Sequence, residues 1–152
     1  MLSLSRDIKS EIRSVFALTS TSVTAGGSGD NTEVDGASIN KATLGFKAES
    51  ISFEVPLRAV LGAAETCTIT ANLQDSANGS SWADITTPAV VLTLTGPAGG
   101  GTVTGIARLG YDLNKARQYI RIQATPDCSR ANTDTAVMGA GVAIFGGLQQ
   151  IS

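Results

Sequence analysis

The sequence predicts an all-β chain: an antiparallel β-sandwich, wired as a jelly roll of about eight strands, with an N-terminal arm or short helix ahead of it. Three observations carry this. Glu65 to Ile85, ETCTITANLQDSANGSSWADI, alternates polar and apolar residues, runs into an Asn-Gly turn and ends near the only tryptophan, which is the pattern of an antiparallel hairpin. Similar short alternating segments recur at roughly ten- to fifteen-residue spacings with Gly, Pro, Asn or Asp between them. No apolar period supports a helix longer than about three or four turns. An up-and-down barrel fits the same pattern, and strand order is not legible at this level.

Residues 1–18 form the first segment and 19–152 a single sandwich domain. Ile8, Ile12, Val15 and Phe16 fall at the three- and four-residue steps of a short amphipathic helix, while Ile8, Ile12, Phe16 and Leu18 share even positions, as in an extended arm or strand; periodicity does not separate the two. SVFALTSTSV is rich in β-branched and aromatic residues and starts the sheet. Thr24 to Asn40 is dense in Gly, Ser, Asp and Asn and reads as a long loop with a short strand or turn inside it, Asp35-Gly36 supplying a positive-φ position.

Ile51, Phe53 and Val55 alternate with Ser50, Ser52 and Glu54 as a half-buried strand that Pro56 ends or confines to an edge. The hairpin pairs Thr66–Leu73 with a return over Trp82–Thr86. Val90 to Thr95 alternates again, Gly96-Pro97 breaks it, and Gly99-Gly100-Gly101 forms a tip before Thr102 to Leu109. In Lys115 to Thr125, Tyr119, Arg121 and Gln123 lie on one face and Ile120, Ile122 and Ala124 on the other. The last strand, Ala136 to Phe145, is small or apolar on both rows, which predicts cover on both sides or contact with a partner chain.

Charged residues make up 16% of the 152 residues against 42% hydrophobic, so Ser, Thr, Asn, Gln and Gly must build much of the surface. The formal charge is −2 with no block of like charges, which leaves no electrostatic footprint for nucleic acid. No apolar run approaches the ~18 residues a membrane span needs, and Arg6, Asp7, Lys9, Glu11 and Arg13 interrupt any secretory signal. Synthesis in a cytoplasm is the expectation.

Histidine is absent, which removes the usual general base, the usual metal ligand and every Ser-His or Cys-His pair. Asp75, Asp84, Asp112, Asp127 and Asp134 are on offer for paired-carboxylate hydrolysis, but Asp75, Asp112 and Asp127 sit in turn contexts where Asp bonds its own backbone. Asp30, Asn31, Glu33 and Asp35 crowd one loop without the spacing of a calcium-binding loop and read as solvated. The expectation is no catalytic residue, no cofactor and no metal. Cys67 lies in an alternating strand as a small buried hydrophobe; Cys128 follows Pro126-Asp127 in a loop, and a disulfide between them needs close Cα positions and an oxidising compartment. Trp82 is read as a cap on the core beside Leu73 and Ile85; as an exposed platform with Tyr119 or Tyr111 it would stack on a sugar, although aromatics are only 5% of the chain.

The NLQDSANGSSWADI hairpin, then RQYIRIQATPD and the glycine-rich last strand, resemble structural proteins of tailed bacteriophages, and within them the capsid decoration or cement proteins of jelly-roll type. The resemblance spans about half the chain, from Thr66 to Gly147, and a similar pattern occurs in discoidin-like carbohydrate-binding sandwiches. It implies a non-enzymatic virion protein that self-associates as a dimer or trimer, sits on the outer capsid surface at capsomer contacts, binds the major capsid protein and is assembled in the bacterial cytoplasm. On that reading Arg6, Ile8, Ile12 and Phe16 form a partner-contacting arm. The alternative is a carbohydrate- or receptor-binding module of a phage tail fibre or bacterial surface protein.

Overall fold

The computed structural model describes residues 7–149. Twelve strand segments run in the order β1 (Arg13–Leu18), β2 (Thr21–Thr24), β3 (Val34–Asp35), β4 (Ile39–Asn40), β5 (Ser50–Leu61), β6 (Thr66–Ser76), β7 (Ala83–Asp84), β8 (Ala89–Thr95), β9 (Gly101–Asp112), β10 (Tyr119–Cys128), β11 (Thr135–Met138) and β12 (Gly141–Gly146). Four pairs of neighbours, β1/β2, β3/β4, β7/β8 and β11/β12, share a partner or a paired partner and are each one interrupted strand, which reduces twelve segments to eight strands.

The first sheet has the order β1/β2, β11/β12, β5, β9, and the second β3/β4, β10, β6, β7/β8, all antiparallel. Numbered along the chain, these are strands 1-8-3-6 facing strands 2-7-4-5. That interleaving of two Greek keys is the jelly-roll wiring the sequence predicted.

Alternation builds the core. Ile51, Phe53, Val55, Leu57, Ala59 and Leu61 of β5 point inward, as do Cys67, Ile69, Ala71 and Leu73 of β6 and Ile120, Ile122 and Ala124 of β10. Phe53, Phe145, Leu18, Leu57, Ile69 and Met138 are fully enclosed, each a contribution of about 1.5–3 kcal/mol. Phe46 packs edge-on against Phe145, with ring centroids 5.3 Å apart, and closes one end of the sandwich.

The structure revises several expectations. The segment over residues 1–18 divides: Ile8–Glu11 is one helical turn capped by Asp7, while Arg13–Leu18 is an edge strand paired with β12. Pro56 neither ends β5 nor lies on an edge; it sits mid-strand between β9 and the β11/β12 line. Its carbonyl accepts from Gly139 N–H at 2.8 Å, so its missing N–H faces the same side, where the partner line is broken between Met138 and Gly141. Gly36 is needed for close approach rather than positive φ: a Cβ there would lie 2.6 Å from the Ala17 carbonyl oxygen and 2.7 Å from that of Ile122. The hairpin turn does use positive φ, at Gly79.

The corner before β10 is held by Asp75, whose carboxylate accepts from Arg117 N–H (2.8 Å), Nε (2.8 Å) and a terminal guanidinium nitrogen (2.6 Å). Burial alone would push this carboxyl up, but the Arg117 hydrogen bonds and the Arg117 and Lys41 charges outweigh it and hold Asp75 below the usual carboxylate range. Nearby, Lys41 Nζ donates to the carbonyls of Leu113 (3.0 Å) and Ala116 (2.7 Å), tying the β4–β5 connection to the β9–β10 connection. Asp75→Ala is expected to lower unfolding free energy at neutral pH by about 2 kcal/mol in urea titration. A carboxyl with a depressed folded pKa stabilises above its unfolded value of about 3.9 and loses that contribution as pH falls through the folded value, so the gap between parent and variant should close as the pH is taken below about 4.

Candidate functional site

The outer face of the first sheet carries more exposed apolar side chains than that of the second, where Val90 is the exposed one. On the first, cross-strand register aligns Phe16, Val142, Glu54 and Arg108 in one row, Pro56 and Ile106 in the next, and Val137, Arg58 and Thr104 beyond it. Phe16 is 53% exposed and Ile106 49%, and Val60, Val137 and Val142 are also open to solvent. A shallow depression of about 670 Å³ lies over Pro56, Arg58, Ile106, Val137 and Gly139. The one ion pair across this face, Arg108 Nε to Glu54 Oε2 at 2.8 Å, has its arginine largely in solvent and adds little stability. Exposed apolar side chains thus lie beside Glu54, Arg58 and Arg108 on this face.

Of the four residues expected at a partner contact, Arg6 lies outside the described residues. Ile8 is 74% exposed on a helical turn with no buried residue, and Ile12 ends that turn, half-buried. Phe16 belongs to the sheet rather than to an arm, and its register partner is Val142. Pro56, Ile106, Val137 and Val142 were not singled out from sequence. For Val137 and Val142 the signal was the last strand's two apolar rows: Ala136, Met138, Ala143 and Phe145 face inward, whereas Val137 and Val142 are partly open to solvent among the described residues.

The second sheet's outer face is a closed polar network. Arg121 donates to Gln74 Oε1 (2.9 and 2.7 Å) and pairs with Asp35 at 3.2 Å; Gln74 Nε2 donates to Asp84 (2.7 Å). Asn72 Nδ2 donates to Asp84 and to Gln123 Oε1, each at 3.0 Å, and Gln123 Nε2 donates to Glu33 (2.8 Å) and Asp35 (2.6 Å). Asn72 and Gln123 are buried within it.

Trp82 belongs to this network and not to the core. It is half-buried with the Arg121 guanidinium carbon 4.5 Å from its ring centroid, a cation–π contact. The place beside Leu73 goes to Thr86, whose Oγ1 accepts from Leu73 N–H at 2.8 Å, and to Ile85, whose N–H donates to the Leu73 carbonyl. That leaves Trp82 before β7 on the outward row.

Apart from Asp127, the carboxylates considered for catalysis or metal binding have structural partners, although Asp134 Oδ2 is buried without one. Asp112 caps the turn at Leu113–Lys115 through Asn114 N–H, Asp84 serves Asn72 and Gln74, and Asp134 Oδ1 accepts from Gly62 N–H at 3.0 Å. In the acidic loop, Asp30 accepts from Gly26 N–H (2.6 Å) and Cys128 N–H (2.8 Å), while Glu33 and Asp35 serve Gln123. Among the described residues no group of three His, Cys, Asp or Glu is arranged to hold a metal ion.

No protein-family model matches the chain, and no curated protein matches it. Among solved structures it is similar to the VP2 subviral particle of infectious bursal disease virus, with 13% identity and a TM-score of 0.42 over 90% of this chain and 33% of that one. This chain thus spans about a third of the length of that protein. It is also similar to the acidic stable capsid of Helicobacter pylori bacteriophage KHP30, with 15% identity and a TM-score of 0.41 over 93% of this chain and 98% of that one. The Clostridium thermocellum xylanase 10B CBM22-1-GH10 modules complexed with xylohexaose match at 10% identity and a TM-score of 0.38, over 93% of this chain and 27% of that one. These likenesses are loose, and no residue role is carried over from them.

Arg121→Ala should uncover the Trp82 ring, shifting its fluorescence emission to the red, raising its quenching by acrylamide and lowering stability by about 1 kcal/mol. Unchanged emission and quenching would show that the guanidinium does not cover the indole in solution.

Proposed function

We propose that this chain is a non-enzymatic structural protein of a virion, a capsid decoration protein that docks on the outside of a bacteriophage head at capsomer contacts and reinforces the shell. The observation that carries the reading is the outer face of the first sheet, where Phe16, Val142, Pro56, Ile106 and Val137 lie in adjacent register rows and are open to solvent among the described residues. The occupant we assign to this face is the major capsid protein. The second face then remains toward solvent, with Asn72, Gln74, Arg121 and Gln123 hydrogen-bonded to one another and to Glu33, Asp35 and Asp84.

Self-association as a dimer or trimer is assigned to the segment ahead of β1. The helical turn Ile8–Glu11 buries nothing of its own, and Ile8 is the most exposed of the large apolar side chains described. Assembly in the bacterial cytoplasm and residence on the outer capsid surface complete the proposal. The carbohydrate-binding alternative would use the Trp82 ring as its platform, but Arg121 already occupies one face of that ring.

Purified protein mixed with undecorated, expanded heads is expected to co-sediment with them, and absence of co-sedimentation would count against the whole reading. Ile106→Lys and Val137→Lys each place a charge on the apolar face; stability should stay within about 0.5 kcal/mol of the parent while head binding falls at least tenfold. Deletion through Ile12 should leave the melting cooperative and reduce the oligomeric mass measured by light scattering. A truncated chain that no longer folds would instead make this segment part of the core.

A further inference from the structure

The only two cysteines of the chain, 61 positions apart at 67 and 128, are brought directly opposite one another in the β6–β10 pairing. Both side chains face the sandwich interior, Cys67 fully enclosed and Cys128 4% exposed. The local ladder fixes what kind of pair they make. Cys128 N–H donates to Asp30 Oδ1 at 2.8 Å, on the side away from β6, while Ser129 N–H donates to the Thr66 carbonyl at 2.8 Å and Thr66 N–H to Ser129 Oγ at 2.9 Å.

Thr66 and Ser129 are therefore the bonded position and Cys67 and Cys128 the non-hydrogen-bonded one, where Cα atoms approach to about 4.5 Å and side chains lie closest. That separation falls inside the range a disulfide requires. The expectation that Cys128 lies in a loop is thereby corrected: it is the last residue of β10, with Pro126 and Asp127 inside the strand before it.

We propose that Cys67 and Cys128 form a redox-responsive pair that closes into an intrachain disulfide across the second sheet. The oxidant class is a small-molecule disulfide such as oxidised glutathione. One cysteine thiolate attacks a sulfur of that molecule, its S–S bond breaks, and one small thiol leaves as a mixed disulfide forms on the protein. The second cysteine attacks the protein sulfur of the mixed disulfide and expels the second small thiol. Two protons and two electrons pass from the protein thiols to the oxidant, which departs as two thiols.

Surrounding groups bear on each step. Hydrogen bonding from the Cys128 thiol draws the Cys67 thiol below its usual value against the effects of burial and of Asp30, Asp127 and Asp134; the same interaction, with burial, pushes Cys128 well up. Cys128 is followed in the chain by the exposed residues 129–133. This inference is independent of the capsid reading, since it needs only the fold.

The test equilibrates folded protein in glutathione buffers of rising oxidised fraction, starting both from reduced protein and from protein oxidised in dilute denaturant and refolded. Both should converge on a species about 2 Da lighter than the reduced one by intact mass, without free thiols and reverted by dithiothreitol. The oxidised form should melt about 10 °C higher, because the bond closes a long loop in the unfolded chain. Cys128→Ser should show neither change. Convergence on two free thiols, or on a stable glutathione adduct, would overturn the proposal. Where exchange is too slow to converge, the melting comparison decides: an oxidised form melting below the reduced one, or unable to refold, shows that the bond does not fit the native register.

Discussion

β5 holds the first sheet together. Over all twelve of its residues, Ser50 to Leu61, it pairs with β9, and on its other side it pairs with β12 and then β11. Every second residue from Ile51 to Leu61 is buried between the sheets, so a slip of one position would turn that row to solvent and bring Ser52, Glu54 and Arg58 inside. This register cost also fixes where β9, β11 and β12 lie. Through the break opposite Pro56 it divides the β11/β12 line in two, so the chain accommodates a proline in a central strand by interrupting the neighbour rather than the strand itself.

The same alternation that fills the core determines what each sheet shows to the outside. On the second sheet the outward row is Asn72, Gln74, Arg121 and Gln123, whose side chains reach one another and the carboxylates of Glu33, Asp35 and Asp84. A buried amide left without a partner would cost about 1–3 kcal/mol, which the hydrogen bonds of the buried Asn72 and Gln123 avoid. On the first sheet the outward rows carry Phe16, Val142, Pro56, Ile106 and Val137 beside Glu54, Arg58, Arg108 and Thr104, and the apolar members leave water only where another surface covers them.

What the sequence determined by itself is the alternation. The inward row of β5 as far as Val55, the inward rows of β6 and β10, the polar row Tyr119-Arg121-Gln123, the turn at Asn78-Gly79 and the eight-strand count were legible because period-two patterning and turn chemistry are local. What only the tertiary structure decided was which strands lie beside which. Pro56 was misjudged because an edge is the usual place for a missing N–H, and the break in β11/β12 that accepts it lies some eighty residues further along the chain. Trp82 was read as a cap on the core, the ordinary role of a lone tryptophan in a β-domain, but its position depends on Arg121 in β10, about forty residues further along the chain. Cys128 was read as a loop residue after Pro-Asp, and its place opposite Cys67 follows from a register set by the whole of β6 and β10. Phe16 was assigned to an arm, yet pairing with β12 makes it part of a face. In each case the deciding hydrogen bonds join segments far apart in the chain, and a pattern of period two carries no information about its partner.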